Sequence, residues 1–145
     1  MILPDANLLL YAVNSDSPDH KKARNWWLAL LSGNEEVGLC PAVVFSFIRL
    51  STHRKVFQDP LSVEGAFAHV ENWLEFPLVS WVDSEHSDLM TARELLQEAG
   101  TGGNLVTDAQ IASLAIRLRA TVHTADLDFG RFPRVKWLNP LHSKH

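Results

Sequence analysis

Met1-Ile2-Leu3-Pro4-Asp5-Ala6-Asn7-Leu8-Leu9-Leu10-Tyr11-Ala12 opens the chain, and its reading decides the fold. A short apolar strand runs into an aspartate, and an apolar run from Ala6 to Val13 follows at once as a buried helix. The pattern recurs near the other end, where Thr121-Val122-His123-Thr124-Ala125 leads into Asp126. Between them Asp108 stands directly before an apolar helical run. Open α/β sheets bind ligands in the crevice outside the carboxyl ends of their strands. Three acids delivered there repel one another by roughly 4 kcal/mol per close pair at an effective dielectric near 20. A divalent cation, magnesium or manganese, relieves that repulsion. Taken singly, Asp5 and Asp108 read equally well as helix N-caps, for which aspartate is favoured. Asp126 and Asp128 form an Asp-x-Asp step, common in loops; the conjunction of all four carries the argument.

The intervening sequence alternates strand and helix signals. Ser17-Pro18 opens a helix to about Leu31 with Ala23, Trp26, Trp27, Leu30 and Leu31 as its apolar stripe. Val37–Cys40 reads as a buried strand, and Pro41 begins a helix whose periodic part is Val43 to His53. Residues 54–60 form a loop. A helix from Ser62 to Glu75, a strand from Leu78 to Val82 and a helix from Glu85 to Ala99 come next, the last capped by Asp83-Ser84. Gly100-Thr101-Gly102-Gly103 breaks the chain, and Thr107 or Asp108 caps a helix to Arg119. Thr121–Thr124 and Val135–Leu138 finish the fold. The expected class is α/β: a central, mostly parallel sheet covered on both faces, in three α/β/α layers.

At 145 residues and 46% hydrophobic content, the sequence fits one globular domain over residues 1–141 with a tail at 142–145. No apolar stretch reaches the ~20 residues needed to span a bilayer, and no signal peptide is evident. The single cysteine, Cys40, excludes an internal disulfide and fits a reducing cytoplasm. The net charge of −4 is unevenly spread: residues 56–107 hold nine acidic side chains and one basic. The two flanking segments hold twelve basic residues and, with Asp5, Asp108, Asp126 and Asp128 set aside, four acidic ones. That distribution suits a basic rim around an acidic pocket, and equally suits ordinary solvated helix faces.

The chain resembles the PIN-domain ribonucleases of the VapC toxin type along nearly its whole length. The resemblance rests on Pro4–Ala12, Phe47-Ile48-Arg49-Leu50-Ser51-Thr52, Gly103-Asn104-Leu105-Val106-Thr107-Asp108-Ala109-Gln110-Ile111-Ala112 and Thr124-Ala125-Asp126-Leu127-Asp128-Phe129-Gly130-Arg131-Phe132. It extends to Trp137-Leu138-Asn139-Pro140-Leu141. It implies that Asp5, Asp108 and Asp126 hold a Mg2+ or Mn2+ ion, with Asp128 an accessory acid. Asn7 and Thr124 would orient carboxylates or hold substrate. It further implies an endoribonuclease toxin that forms a homodimer and is inhibited by a VapB-like antitoxin. The family pattern has a glutamate three residues before Arg49; here that position is Ser46, which favours a single tightly held ion or a second one recruited with the RNA phosphate.

No serine or cysteine nucleophile is evident, and metal-assisted phosphodiester hydrolysis needs none. Lys21, Lys22, Arg24, His53, Arg54, Lys55, Arg131, Arg134 and Lys136 are candidates for phosphate contacts, and Arg131, close to Asp126 and Asp128, leads them. Arg49, inside an apolar helix, is placed to meet a partner's acids or the local carboxylates. Trp26 and Trp27 are expected in the core, with a dimer seam or antitoxin groove as the alternative. Two other functions compete: a catalytically degenerate RNA- or partner-binding module, motivated by Ser46, and an aspartyl phosphoryl-transfer domain of receiver or dehalogenase type. The latter expects a second acid near Asp5, where Asn7 stands, and a late strand-end lysine, which is lacking.

Overall fold

The computed structural model describes residues 1–142. Five short strands form one sheet: β1 (Ile2–Pro4), β2 (Val37–Leu39), β3 (Val79–Trp81), β4 (Thr121–His123) and β5 (Lys136–Leu138), in the order β3-β2-β1-β4-β5. All four pairings are parallel, with Ile2 opposite Val37 on one side and Thr121 on the other. Six helices connect them: α1 (Ala6–Val13), α2 (His20–Leu31), α3 (Pro41–Ser51), α4 (Val63–Leu74), α5 (His86–Ala99) and α6 (Leu105–Leu118). From β1 the chain steps outward to β2 and β3, then returns to β4 on the far side of β1. Helix α1 packs on α2 and α3, α3 on α4, and α5 on α6, the grouping that right-handed crossovers produce in a three-layer fold. The strand order reverses between β1 and β4, and that switch point is where such a sheet opens a crevice.

Both faces of the sheet are covered, so its strands are apolar rather than alternating. Leu3, Leu39 and Val122 are fully buried against Leu8, Leu9, Phe47 and Leu114. Trp27 is 3% exposed and stacks edge-on with Trp73, ring centroids 5.4 Å apart. It is core, as the apolar stripe predicts. Gly38 in β2 has a packing reason: a Cβ there would lie 2.7 Å from Leu3 Cδ2 and 3.0 Å from Val82 Cγ2. The expected tail begins at His142, whose N–H still bonds the Asn139 carbonyl; residues 143–145 lie outside the described residues.

Several boundaries differ from the sequence expectations. Helix α2 begins at His20, because Ser17 Oγ accepts the Asp19 N–H and holds a turn before it. Helix α5 is capped at Glu85 rather than Asp83-Ser84: the Glu85 N–H donates to Asp88 Oδ2 at 2.9 Å. Helix α6 starts at Leu105 with Asn104 as its cap, so neither Thr107 nor Asp108 is the cap. The Gly102 and Gly103 carbonyls accept the Leu105 and Val106 N–H groups, which starts the helix before the apolar run. Asp108 therefore sits inside the first turn.

Helices α5 and α6 are tied by a charge pair not visible in the sequence pattern. Arg117 Nε donates to Asp88 Oδ1 at 2.9 Å and Oδ2 at 3.1 Å, and Nη2 donates to the Asp83 carbonyl at 2.7 Å. Asp88 is 4% exposed, so its charge depends on this partner. Arg117→Ala strands a buried carboxylate and is expected to lower stability by about 3 kcal/mol in urea unfolding, with Arg117→Lys recovering part of the loss.

Candidate active site

Asp5 leaves β1 with its N–H bonded to the His123 carbonyl of β4, 2.8 Å away. Its Oδ1 accepts the Ala6 N–H at 2.7 Å and caps α1, while Oδ2 accepts the Thr124 hydroxyl at 2.8 Å. The cap and the site acid are thus one side chain. Asp5 is 8% exposed, and burial pushes its carboxyl above the ordinary range. The bonds from Thr124 and Ala6 hold it down in part, and the charge of Asp126 raises it again.

Thr124, fully buried just past β4, is the hinge of the arrangement. Its Oγ1 donates to Asp5, accepts the Asp126 N–H at 2.9 Å and receives Asn7 Nδ2 at 3.4 Å. Asn7, the second residue of α1, also accepts the Ala125 N–H at 3.3 Å through Oδ1. Asp126 Oδ1 accepts the Asp128 N–H at 2.9 Å, closing an Asx turn that starts a 3₁₀ turn over Leu127–Arg131. The Asp-x-Asp step is therefore a device that turns both acids toward one point.

Asp108 points to the same place from the first turn of α6, the positive end of that helix. One carboxylate oxygen from each of Asp108, Asp126 and Asp128 lies within 4.8 Å of the others. Burial pushes the Asp108 carboxyl up to about 7, helped by the charges of Asp126 and Asp5, a hydrogen bond shared with Asp126, and Asp128. Asp5 acts on this trio through its field and through Thr124. Among the described residues the ion pairs are those of Arg117 and Arg134, and neither involves these acids. Crowded hard oxygen donors without a cationic side chain fit a Mg2+ or Mn2+ ion. None of the four acids lines the hollow of about 710 Å³ between α5 and α6.

The remaining candidates lie further out. Ser46 is half-buried on α3, and Arg49, one turn on, is exposed. Arg131 is exposed, its Nη2 donating to the Ala99 carbonyl at 3.3 Å, which ties the 3₁₀ turn to the end of α5. Cys40 is buried at the cap of α3, where burial and the charge of Asp5 push its thiol up, leaving it inert. One contact escaped sequence reasoning. Trp26 Nε1 donates to His123 Nδ1 at 3.0 Å, joining α2 to the strand that carries Thr124. Burial lowers the His123 pKa to about 4, so the imidazole is a neutral acceptor. No local pattern could have paired residues 97 positions apart.

The profile of the family described as PIN domain matches residues 2–135. The chain belongs to the PIN domain family. Within it, Ribonuclease VapC33 of Mycobacterium tuberculosis is 40% identical over 141 residues, covering 97% of this PIN domain and 99% of the relative. Ribonuclease VapC37 of the same organism is 41% identical over 142 residues, 97% of each chain. Two solved PIN-like structures show the same fold. M. tuberculosis VapC20, described as a sarcin-ricin loop cleaving toxin, aligns with a TM-score of 0.69 at 18% identity, over 94% of this chain and 99% of that one. FitAcB from Neisseria gonorrhoeae aligns with a TM-score of 0.70 at 20% identity, over 99% and 100%. PIN membership sets aside the receiver- and dehalogenase-like reading.

Proposed function

We propose that this PIN domain is the toxin of a toxin–antitoxin pair and hydrolyses RNA phosphodiester bonds with a carboxylate-held divalent cation. The observation that carries this is the convergence of Asp108, Asp126 and Asp128, backed by Asp5, at the β1/β4 switch point. Relatives named VapC ribonucleases at about 40% identity support RNA as the substrate. Asp5, Asp108 and Asp126 are the proposed ligands, with Asp128 as the accessory acid. A bound magnesium or manganese ion neutralises phosphate charge and acidifies water. Thr124 and Asn7 fix the acids before substrate arrives, so reorganisation is not needed at the moment of reaction. Asp108 and Asp126 share a proton across their hydrogen bond, both would be ionised beside a bound cation, and either is placed to accept a proton from water. Arg131 keeps guanidinium donors for a phosphate beside the acids.

Solved relatives titled VapBC2 bound to a promoter DNA fragment and FitAB bound to a DNA fragment support an antitoxin partner for this chain. A homodimer and a cytoplasmic setting complete the proposal; among the described residues no helix is long and apolar enough to cross a membrane. The test is cleavage of structured RNA by the purified chain. Activity is expected with Mg2+ or Mn2+, to vanish with EDTA, and to return when excess Mn2+ is added. Equal cleavage in EDTA sinks the metal assignment. The second reading, a binding module without catalysis, is favoured by Ser46; RNA bound but left intact under both metals establishes it instead.

A further inference from the structure

A second feature of the surface lies at the amino ends of β4 and β5, the end of these strands opposite the acids. Arg119 precedes β4 and Arg134 precedes β5; these strands pair in parallel with Thr121 opposite Lys136, so all three cations gather at one end of the pair. They line a hollow of about 220 Å³ with an apolar floor that includes Ile116, Ala120 and Val135. Arg134 Nη1 meets Glu94 Oε1 at 3.1 Å. Both of those side chains are substantially exposed, so the pair is weak and the other guanidinium donors stay available. Arg119 and Lys136 have no acidic partner among the described residues.

Arg119 adds an independent observation. It ends α6 in the left-handed region, φ 55°, where glycine is favoured. The neighbouring helix α5 ends in the same conformation with Gly100, φ 79°. A non-glycine residue there is costly for backbone reasons, and a strained position of this kind points to a use for the side chain. Cations near a helix carboxyl end also favour its dipole, but that does not require the strained position itself.

We infer that Arg119, Arg134 and Lys136 form a phosphate subsite for the RNA strand whose scissile bond lies at the acids. The inference rests on the nuclease reading above. Eleven residues of α6 separate Asp108 from Arg119, roughly 16 Å at 1.5 Å per residue, a span a strand of several nucleotides covers. Arg131, exposed and bonded to the Ala99 carbonyl at the end of α5, is the cation at the acid end of this span. The path runs around the outside of β5, which is the edge strand. The ligand is recognised by phosphate oxygens, so the subsite positions RNA without reading its bases.

The test uses the full chain carrying Asp108→Asn, which keeps labelled RNA intact, with and without Arg119→Gly plus Lys136→Ala. Arg119→Gly removes the charge and relieves the backbone, so a folded variant is assured by design, and its melting curve confirms that. Binding of a single-stranded RNA is measured by fluorescence anisotropy across a salt series. Each lost phosphate contact on a single strand reduces the slope of log K against log salt by about 0.7, so the double change is expected to reduce it by about 1.4. An unchanged slope with RNA still bound overturns the subsite and leaves the nuclease reading intact. Failure of the parent to bind RNA overturns both. Inorganic phosphate, titrated at fixed ionic strength, reads the other source of the same chemistry: if it raises the parent's melting temperature through these residues while the RNA slope stays equal, the strand path is wrong.

Discussion

Asp108→Asn is expected to lower RNA cleavage by at least ~10²–10³-fold while raising the melting temperature of the metal-free protein. The first effect is on the scale of removing one preorganised charge-stabilising group. The second follows from electrostatics. Burial and the neighbouring acids put the folded-state pKa of Asp108 at about 7, against an ordinary value of 3.8. Between those values the folded state binds the extra proton, so metal-free stability falls as pH rises from about 4 to about 7 and then levels. Asp108 is only half-buried, and solvent screening cuts the loss to on the order of 1–2 kcal/mol. Asparagine keeps the shape and removes both the charge and the pH dependence. Calorimetry at pH 5 and pH 8, with and without Mn2+, checks this. Stabilisation by Mn2+ is expected to grow with pH in the parent and to be small in the variant. A variant that cleaves normally, or that gains as much from Mn2+ as the parent, removes Asp108 from the site.

Thr124→Val is expected to be the most damaging change that leaves every acid in place. The methyl group fits the space of the hydroxyl but strips Asp5 Oδ2 of its donor and leaves the Asp126 N–H without its acceptor. Both groups sit where water is largely excluded, and leaving them unsatisfied costs about 3 kcal/mol. Cleavage should fall along with stability, since Asp126 loses the bond that aims it. Thr124→Ser retains the oxygen and is expected to keep most of the stability and activity. Urea unfolding and RNA cleavage on the three proteins decide the matter. If valine proves as stable and as active as threonine, the hydroxyl relay has no role.

The fold was legible because the strands carry apolar residues on both faces and because proline, glycine and aspartate mark their ends. Pro41 at the start of α3 and Gly100 at the end of α5 are local signals with local causes. Three features were not legible, for a shared physical reason. The start of α6 at Leu105 depends on carbonyls of a glycine turn, which outweigh the side-chain capping preference that favoured Thr107 or Asp108. The Arg117–Asp88 pair and the Trp26–His123 bond join residues that only tertiary packing brings together. Asp5 and Asp126 were read from strand ends, Asp108 from the start of an apolar helical run, and Asp128 from its place two residues after Asp126. That Asp108, Asp126 and Asp128 crowd one another while Asp5 sits behind Thr124 needed coordinates.

The Thr124–Asp5 bond spans 119 positions, linking the end of β1 to the residue just past β4. A ribosome making this protein therefore releases Asp5 more than a hundred residues before the hydroxyl that holds it. Until β4 emerges, a nascent chain has no Asp126 and no way to assemble the centre.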